Sequence, residues 1–173
     1  MISQKVQDAI NAQINAEFWS AYLYLSMAQY FHAIGRSGIA HWFEIQFQEE
    51  QSHAQILINY LNNRDGRVLL QAIDAVPTEW KNELDAFKAV LEHEQKVTAL
   101  INNLYFIAES ERDYATRGRL DWFVNEQVEE EETAREIIDR LELIGDNGLA
   151  MYTLDTELGA RTFTTPSPLA SSN

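Results

Sequence analysis

Cysteine is absent from this 173-residue chain, which excludes disulfide scaffolds, thiol catalysis and thiolate zinc sites. Any metal chemistry must therefore use carboxylate and imidazole. Chain breakers are scarce as well: seven Gly and three Pro leave long uninterrupted segments, and long helices are the natural filling. No run of eighteen apolar residues occurs, and the polar stretch from Met1 to Glu17 lacks a signal-peptide pattern, so neither a membrane span nor a leader is readable. Basic residues are few: 13 Lys and Arg stand against 27 Asp and Glu, for a formal charge of −14. Such a field repels phosphate backbones and attracts cations, which excludes nucleic acid as a partner. What is present in quantity is apolar mass, 46% of residues, enough for one buried core. The expectation is a soluble cytoplasmic protein.

Hydrophobic residues recur at three- and four-residue steps, the helical period. A first helix is predicted from about Gln4 to Ile34, with Ile10, Ile14, Ala21, Leu25, Ala28 and Phe31 on its stripe. After Gly35 and a cap at Ser37, a second runs to about Arg64 with Ile39, Trp42, Phe43, Phe47, Ala54, Leu57 and Leu61. A third, about Asn82 to Glu111, carries Phe87, Val90, Leu91, Val97, Ile101, Leu104 and Ala108, and a fourth, about Tyr114 to Leu143, carries Leu120, Phe123, Ala134, Ile138 and Leu141. Gly145 and Gly148 precede a short fifth helix, about Leu149 to Leu158. Residues 161–173 read as an extended or disordered Ser/Thr/Pro-rich tail, leaving 1–160 as the folded domain.

Connection lengths set the topology. Two or three residues join the first helix to the second and the third to the fourth, so both pairs are antiparallel hairpins. The seventeen residues from Asp65 to Lys81 reach about 56 Å when extended, whereas a helix of twenty-eight residues is about 42 Å long. That connection can cross a whole bundle. The predicted fold is all-α: a four-helix bundle with one long crossover and a short C-terminal fifth helix.

Each core stripe has a polar interruption at its middle: Glu17 in the first helix, Glu50 and His53 in the second, Glu94 in the third, Gln127 and Glu130 in the fourth. Glu17 lies eighteen residues before the hinge at Gly35, and Glu50 and His53 lie fifteen and eighteen after it. Glu94 lies nineteen before the hinge at Asp113, and Gln127 and Glu130 fourteen and seventeen after it. A mismatch of three residues is about 4.5 Å of helix rise, within side-chain reach, so all four helices can aim these groups at one level.

Four carboxylates in an apolar interior repel one another and cost several kcal/mol apiece in desolvation unless neutralised, and a pair of cations does that. Oxygen-rich ligation with one imidazole suits Fe(II) or Mn(II) and not a structural tetrahedral zinc, and Glu50, sharing a helix face with His53, takes the bridging position. A single Glu-x-x-His is expected by chance roughly 0.4 times in this composition, so the coincidence of heights carries the argument. Glu131, Glu132 and Glu136 read as a solvated helix face. His32, His41 and His93 are assigned no role. Tyr24, seven residues from Glu17 on the same face, fits either the site or the core, as does Trp122.

At these residues the sequence resembles the non-haem bacterial ferritins, of the ferritin-like di-iron family. The resemblance runs through all five helices and rests on N-A-E-F-W-S-A-Y-L-Y around Glu17, Q-E-E-Q-S-H at 48–53, H-E-Q at 93–95 and L-D-W-F-V-N-E-Q-V-E-E-E from 120. It implies a ferroxidase centre with one iron on Glu17, Glu50 and His53, a second on Glu50, Glu94 and Glu130, and Gln127 close by. It also implies a third iron site at Glu49, Glu126, Glu129 and Glu130. Gln51 stands where haem-binding relatives have their ligating Met, so no haem is expected. A second Glu-x-x-His is replaced by Gln127-x-x-Glu130, which implies a looser second iron that is passed onward as substrate.

The implied protein is an iron-storage ferritin: a shell of twenty-four subunits that oxidises Fe(II) with O₂ or H₂O₂ and keeps the ferric oxide inside. Two other readings remain beside it. A di-iron or di-manganese redox enzyme handling peroxide would share the centre but need a substrate cavity, and a non-catalytic bundle would use its acids only for solubility.

Overall fold

A computed structural model describes residues 2–170 of the chain. Among them lie six helices: α1 (Gln4–Ala33), α2 (Ser37–Asn63), α3 (Glu83–Ser110), α4 (Tyr114–Ile144), α5 (Gly148–Leu158) and α6 (Ser167–Ala170). None is long and apolar enough to cross a membrane. The contacts divide the chain into two compact units. One holds the chain up to Gln13, Leu61–Leu69 and Trp80–Gly145; the other holds Ile14–Tyr60, Leu70–Glu79 and the chain from Asp146 on.

In the first unit α3 and α4 form an antiparallel hairpin. Every third or fourth residue is buried, from Ala86, Phe87 and Val90 to Ala108 on α3 and from Thr116, Leu120 and Phe123 to Leu141 on α4. Both helices begin on side-chain caps, Asn82 accepting from the Asp85 N–H and Asp113 from the Thr116 N–H. Arg64 grips the same Asp113 carboxylate with both guanidinium arms, at 3.0 and 3.1 Å. Burial raises the Asp113 pKa, but the hydrogen bonds from Arg64 and Thr116 and the Arg64 charge outweigh it and hold the group below the ordinary carboxylate value. At the start of α1, Asn11 fixes the departing chain, donating to Arg67 O at 3.0 Å and accepting from the Leu69 N–H at 2.7 Å.

In the second unit α1 and α2 run antiparallel about a turn in which Gly35 takes a φ of 77°, a conformation that favours a residue without Cβ. Phe43 stacks on Phe31 at 5.5 Å and on Tyr24 at 6.0 Å, and His32 reaches Glu44 at 2.9 Å. The chain from 70 to 79 runs extended along α1: Asn15 donates to Ala72 O and Ser26 to Pro77 O. Eleven residues of helix and five of extended chain both span about 17 Å, so the two advance in step.

Three departures from the sequence reading are local. Leu25 is half-buried while Leu23 and Met27 face the core, because the stripe on α1 drifts one position from the one drawn through Leu25. Phe47 and Leu91 are likewise half-buried. The segment from 161, expected to be extended or disordered, contains the single turn α6, which begins just after Pro166, and is anchored at Arg161; positions 171–173 of that expectation lie outside the described residues.

Candidate metal centre

Within the second unit, Glu17 of α1 meets Glu50 and His53 of α2. His53 Nδ1 lies 3.5 Å from Glu50 Oε2 and 3.9 Å from Glu17 Oε2, and the three residues are 1 to 2% exposed. One ligand atom from each falls within 4.8 Å of the others, the geometry of a cation site. The spacing of three that joins Glu50 to His53 puts both on one face of α2, and the Gly35 turn folds Glu17 onto it. Two carboxylates this close repel by about 3.5 kcal/mol at an effective dielectric near 20, so the pocket favours a positive charge between them. Tyr24 is fully buried with its ring on Phe43, so its phenol ring is part of the core packing.

Within the first unit the interruption of the α3 and α4 stripes is equally inward: Glu94 is fully buried, Gln127 is 5% and Glu130 8% exposed. Gln127 Nε2 donates to Glu94 Oε2 at 3.1 Å and to Glu94 O at 3.2 Å. The amide thus fixes where the Glu94 carboxylate points. Thr98 and Glu131 complete this neighbourhood, the Thr98 hydroxyl donating to Glu131 Oε1 at 2.7 Å and accepting from Gln127. Glu131 is therefore not the plain solvated group the sequence suggested: the Thr98 hydrogen bond outweighs burial, Arg135 adds to it, and the carboxyl sits below its ordinary pKa. Trp122 packs edge-on against Phe123 at 4.9 Å.

Of the acids the resemblance assigns to a third site, Glu130 is buried, Glu126 half-buried and Glu129 exposed, all on α4. Glu49, on α2, is engaged by Arg161 Nη2 at 2.6 Å. Sequence reading missed Arg161, Asp155 and Thr98. Asp155 left one faint signal, since Gly38 directly follows the expected cap Ser37 and such a glycine marks a close approach of another backbone. His41, given no role, reaches Glu44 with Nδ1 at 3.5 Å and donates from Nε2 to Arg161 O at 2.9 Å.

Residues 7–144 match the family described as a ferritin-like domain. The chain belongs to the ferritin-like family. A bacterial non-heme ferritin of Bacteroides fragilis (strain 638R) is 48% identical over 161 residues, covering 93% of this chain and all of the relative. One from Staphylococcus aureus (strain USA300) is 40% identical over 163 residues, 94% of this chain and 98% of the relative. Among solved structures, the open pore ferritin of the hyperthermophilic archaeon Archaeoglobus fulgidus superposes with a TM-score of 0.93 at 48% identity, covering 94% of this chain and 100% of that one. A closed form engineered from the Archaeoglobus fulgidus ferritin superposes at 0.94. At that similarity the fold is the ferritin-like four-helix bundle with one long crossover and a short fifth helix after it.

Proposed function

We propose that this chain is the subunit of a cytoplasmic iron-storage ferritin that oxidises Fe(II) before storing it. The observation that carries the proposal is the buried Glu17, Glu50 and His53 group, a cation site in the interior of a chain whose relatives are non-heme ferritins. Iron here is substrate and cargo. Its first position would be Glu17, Glu50 and His53. Its second would be Glu50, Glu94 and Glu130, with Gln127 orienting Glu94, as the common height of these residues in the sequence supports. Two Fe(II) so held can give two electrons to one oxidant: O₂ with two protons leaves as H₂O₂, or H₂O₂ with two protons leaves as two waters. Each product Fe(III) carries one more positive charge than before. Carboxylates neutralise it better than imidazole does, so it is drawn from the centre toward Glu49, Glu126 and Glu129. With Gln51 beside the bridging acid, no haem is needed in this scheme.

The chain's −14 charge would draw Fe(II) toward the molecule. Assembly as a homo-oligomeric shell, which we take to have twenty-four subunits, is supported by large apolar side chains left outward on the single chain. Leu149 and Tyr152 of α5 are 75 and 70% exposed, and Leu70 of the crossover 72%. Anaerobic Fe(II) titration of the assembled protein, followed by addition of oxidant, tests the reading. Two tight Fe(II) per subunit and a fast two-iron turnover are expected; a chain that binds no stoichiometric Fe(II) would overturn it.

A further inference from the structure

We infer that Arg161 is a built-in counter-cation that holds Glu49 until a metal ion displaces it, and so sets when the third iron position fills. The inference rests on the reading above that Glu49 belongs to that position. Arg161 is held three ways on one face of α2. Its Nη2 donates to Glu49 Oε2 at 2.6 Å, its guanidinium lies 4.7 Å over the Trp42 ring, and its backbone oxygen accepts from His41 Nε2 at 2.9 Å. Trp42 and Glu49 are seven residues, two helical turns, apart, so one guanidinium can cover both.

The guanidinium does not hang on a free tail. Six residues upstream, the Asp155 carboxylate accepts the Gly38 and Ile39 N–H groups at 3.1 and 2.9 Å, capping α2 and fastening α5 to it. The short chain from Asp155 to Arg161 is therefore pinned at both ends to the same helix, and the guanidinium is presented to Glu49 at a high effective concentration. The pair is also partly withdrawn from water, with side chains 26 and 17% exposed, so it is screened less than an ordinary surface pair. A cation arriving at Glu49 must first break it. A divalent ion at low concentration competes poorly with the guanidinium for Glu49, whereas an ion of higher charge competes well. Arg161 thus favours filling of the first two positions before the third.

The test uses the assembled full-length protein, with redox-inert Zn(II) and anaerobic Fe(II) titrated calorimetrically into wild type, Arg161→Gln, Arg161→Lys and Glu49→Gln. Arg161→Gln is expected to tighten the third, weakest class of sites about tenfold while leaving the first two unchanged; Arg161→Lys, which keeps the charge but not the planar guanidinium over Trp42, should fall between the two. Glu49→Gln should lose the third class. Trp42 emission should shift with the third Zn(II) equivalent in wild type and not in Glu49→Gln, with Trp42→Phe identifying the signal. A third-class affinity unchanged in Arg161→Gln while Glu49→Gln abolishes that class overturns the role of Arg161 alone. Three metals retained in Glu49→Gln overturn the third-site reading beneath it.

Discussion

Gly38 and Asp155 are in contact through both backbone and side chain: the Asp155 carboxylate accepts the Gly38 N–H at 3.1 Å, and a Cβ placed on Gly38 would run into the Asp155 carbonyl. Gly159 also approaches, since a Cβ there would lie 3.0 Å from the Gly38 Cα. The start of α2 thus takes glycine because α5 occupies the space a methyl group needs. Gly38→Ala is expected to push α5 off and cost about 3 kcal/mol. Asp155→Ala, which removes only the cap, should cost about 1 kcal/mol. Thermal unfolding midpoints of the two variants check this, and a Gly38→Ala protein as stable as wild type would mean that the helices can separate without loss.

If Glu50 bridges the two irons as proposed, Glu50→Ala should abolish fast Fe(II) oxidation while leaving assembly intact, because Glu50 is only 2% exposed. Stability of the metal-free protein should equal or exceed that of wild type, since a buried carboxylate facing Glu17 has been removed. Stopped-flow absorbance after anaerobic loading, with denaturant unfolding beside it, reads both effects. An unchanged oxidation rate would remove Glu50 from the centre.

Gln127 contributes through Glu94. Its amide makes two hydrogen bonds to that residue, one to the carboxylate and one to the backbone oxygen. Gln127→Leu keeps the volume but lets the carboxylate turn. The second Fe(II) should bind about tenfold more weakly and the first about as before, a loss of about 1.4 kcal/mol, just under the range for one hydrogen bond to a charged group. Anomalous scattering from Fe(II)-soaked crystals should show one peak depleted. Equal depletion of both would place Gln127 at the shared ligand instead.

How much of this was legible in the sequence follows from how local each interaction is. The stripes from Phe87 to Ala108 and from Leu120 to Leu141 are set by helical period alone, and their polar members Glu94, Gln127 and Glu130 were readable as interruptions. The meeting of Glu17 with Glu50 and His53 needed only a hinge and a count of residues, because a two- or three-residue turn leaves a helix pair little choice of register. On α1 the period blurred: Leu23, Leu25 and Met27 are all apolar, and only packing decides which two face inward. Arg161 was out of reach. It sits 112 residues from Glu49, in a segment without periodicity, and its position is dictated by the Asp155 cap and the Trp42 ring, neither of which leaves a pattern in the tail.

The acid limb of stability should carry the signature of Asp113. Its carboxyl is held below the ordinary carboxylate value by Arg64 and Thr116 against the opposing effect of burial. For a group with a depressed folded pKa, the unfolded chain takes up its proton first as pH falls. The stabilisation is therefore fully present above the unfolded pKa, near 4, and drains away as pH drops through the folded value. Asp113→Ala removes the α4 cap together with both guanidinium bonds, and at pH 7 should cost about 2 kcal/mol, the upper end for a helix cap because Arg64 loses its partner as well. As pH falls below about 4 the wild type should progressively lose that advantage, so the two unfolding midpoints converge. Urea unfolding of both proteins at pH 7 and at successive steps below pH 4 decides it. A gap that stays constant across the acid range would show that Asp113 stabilises α4 through packing and not through its charge.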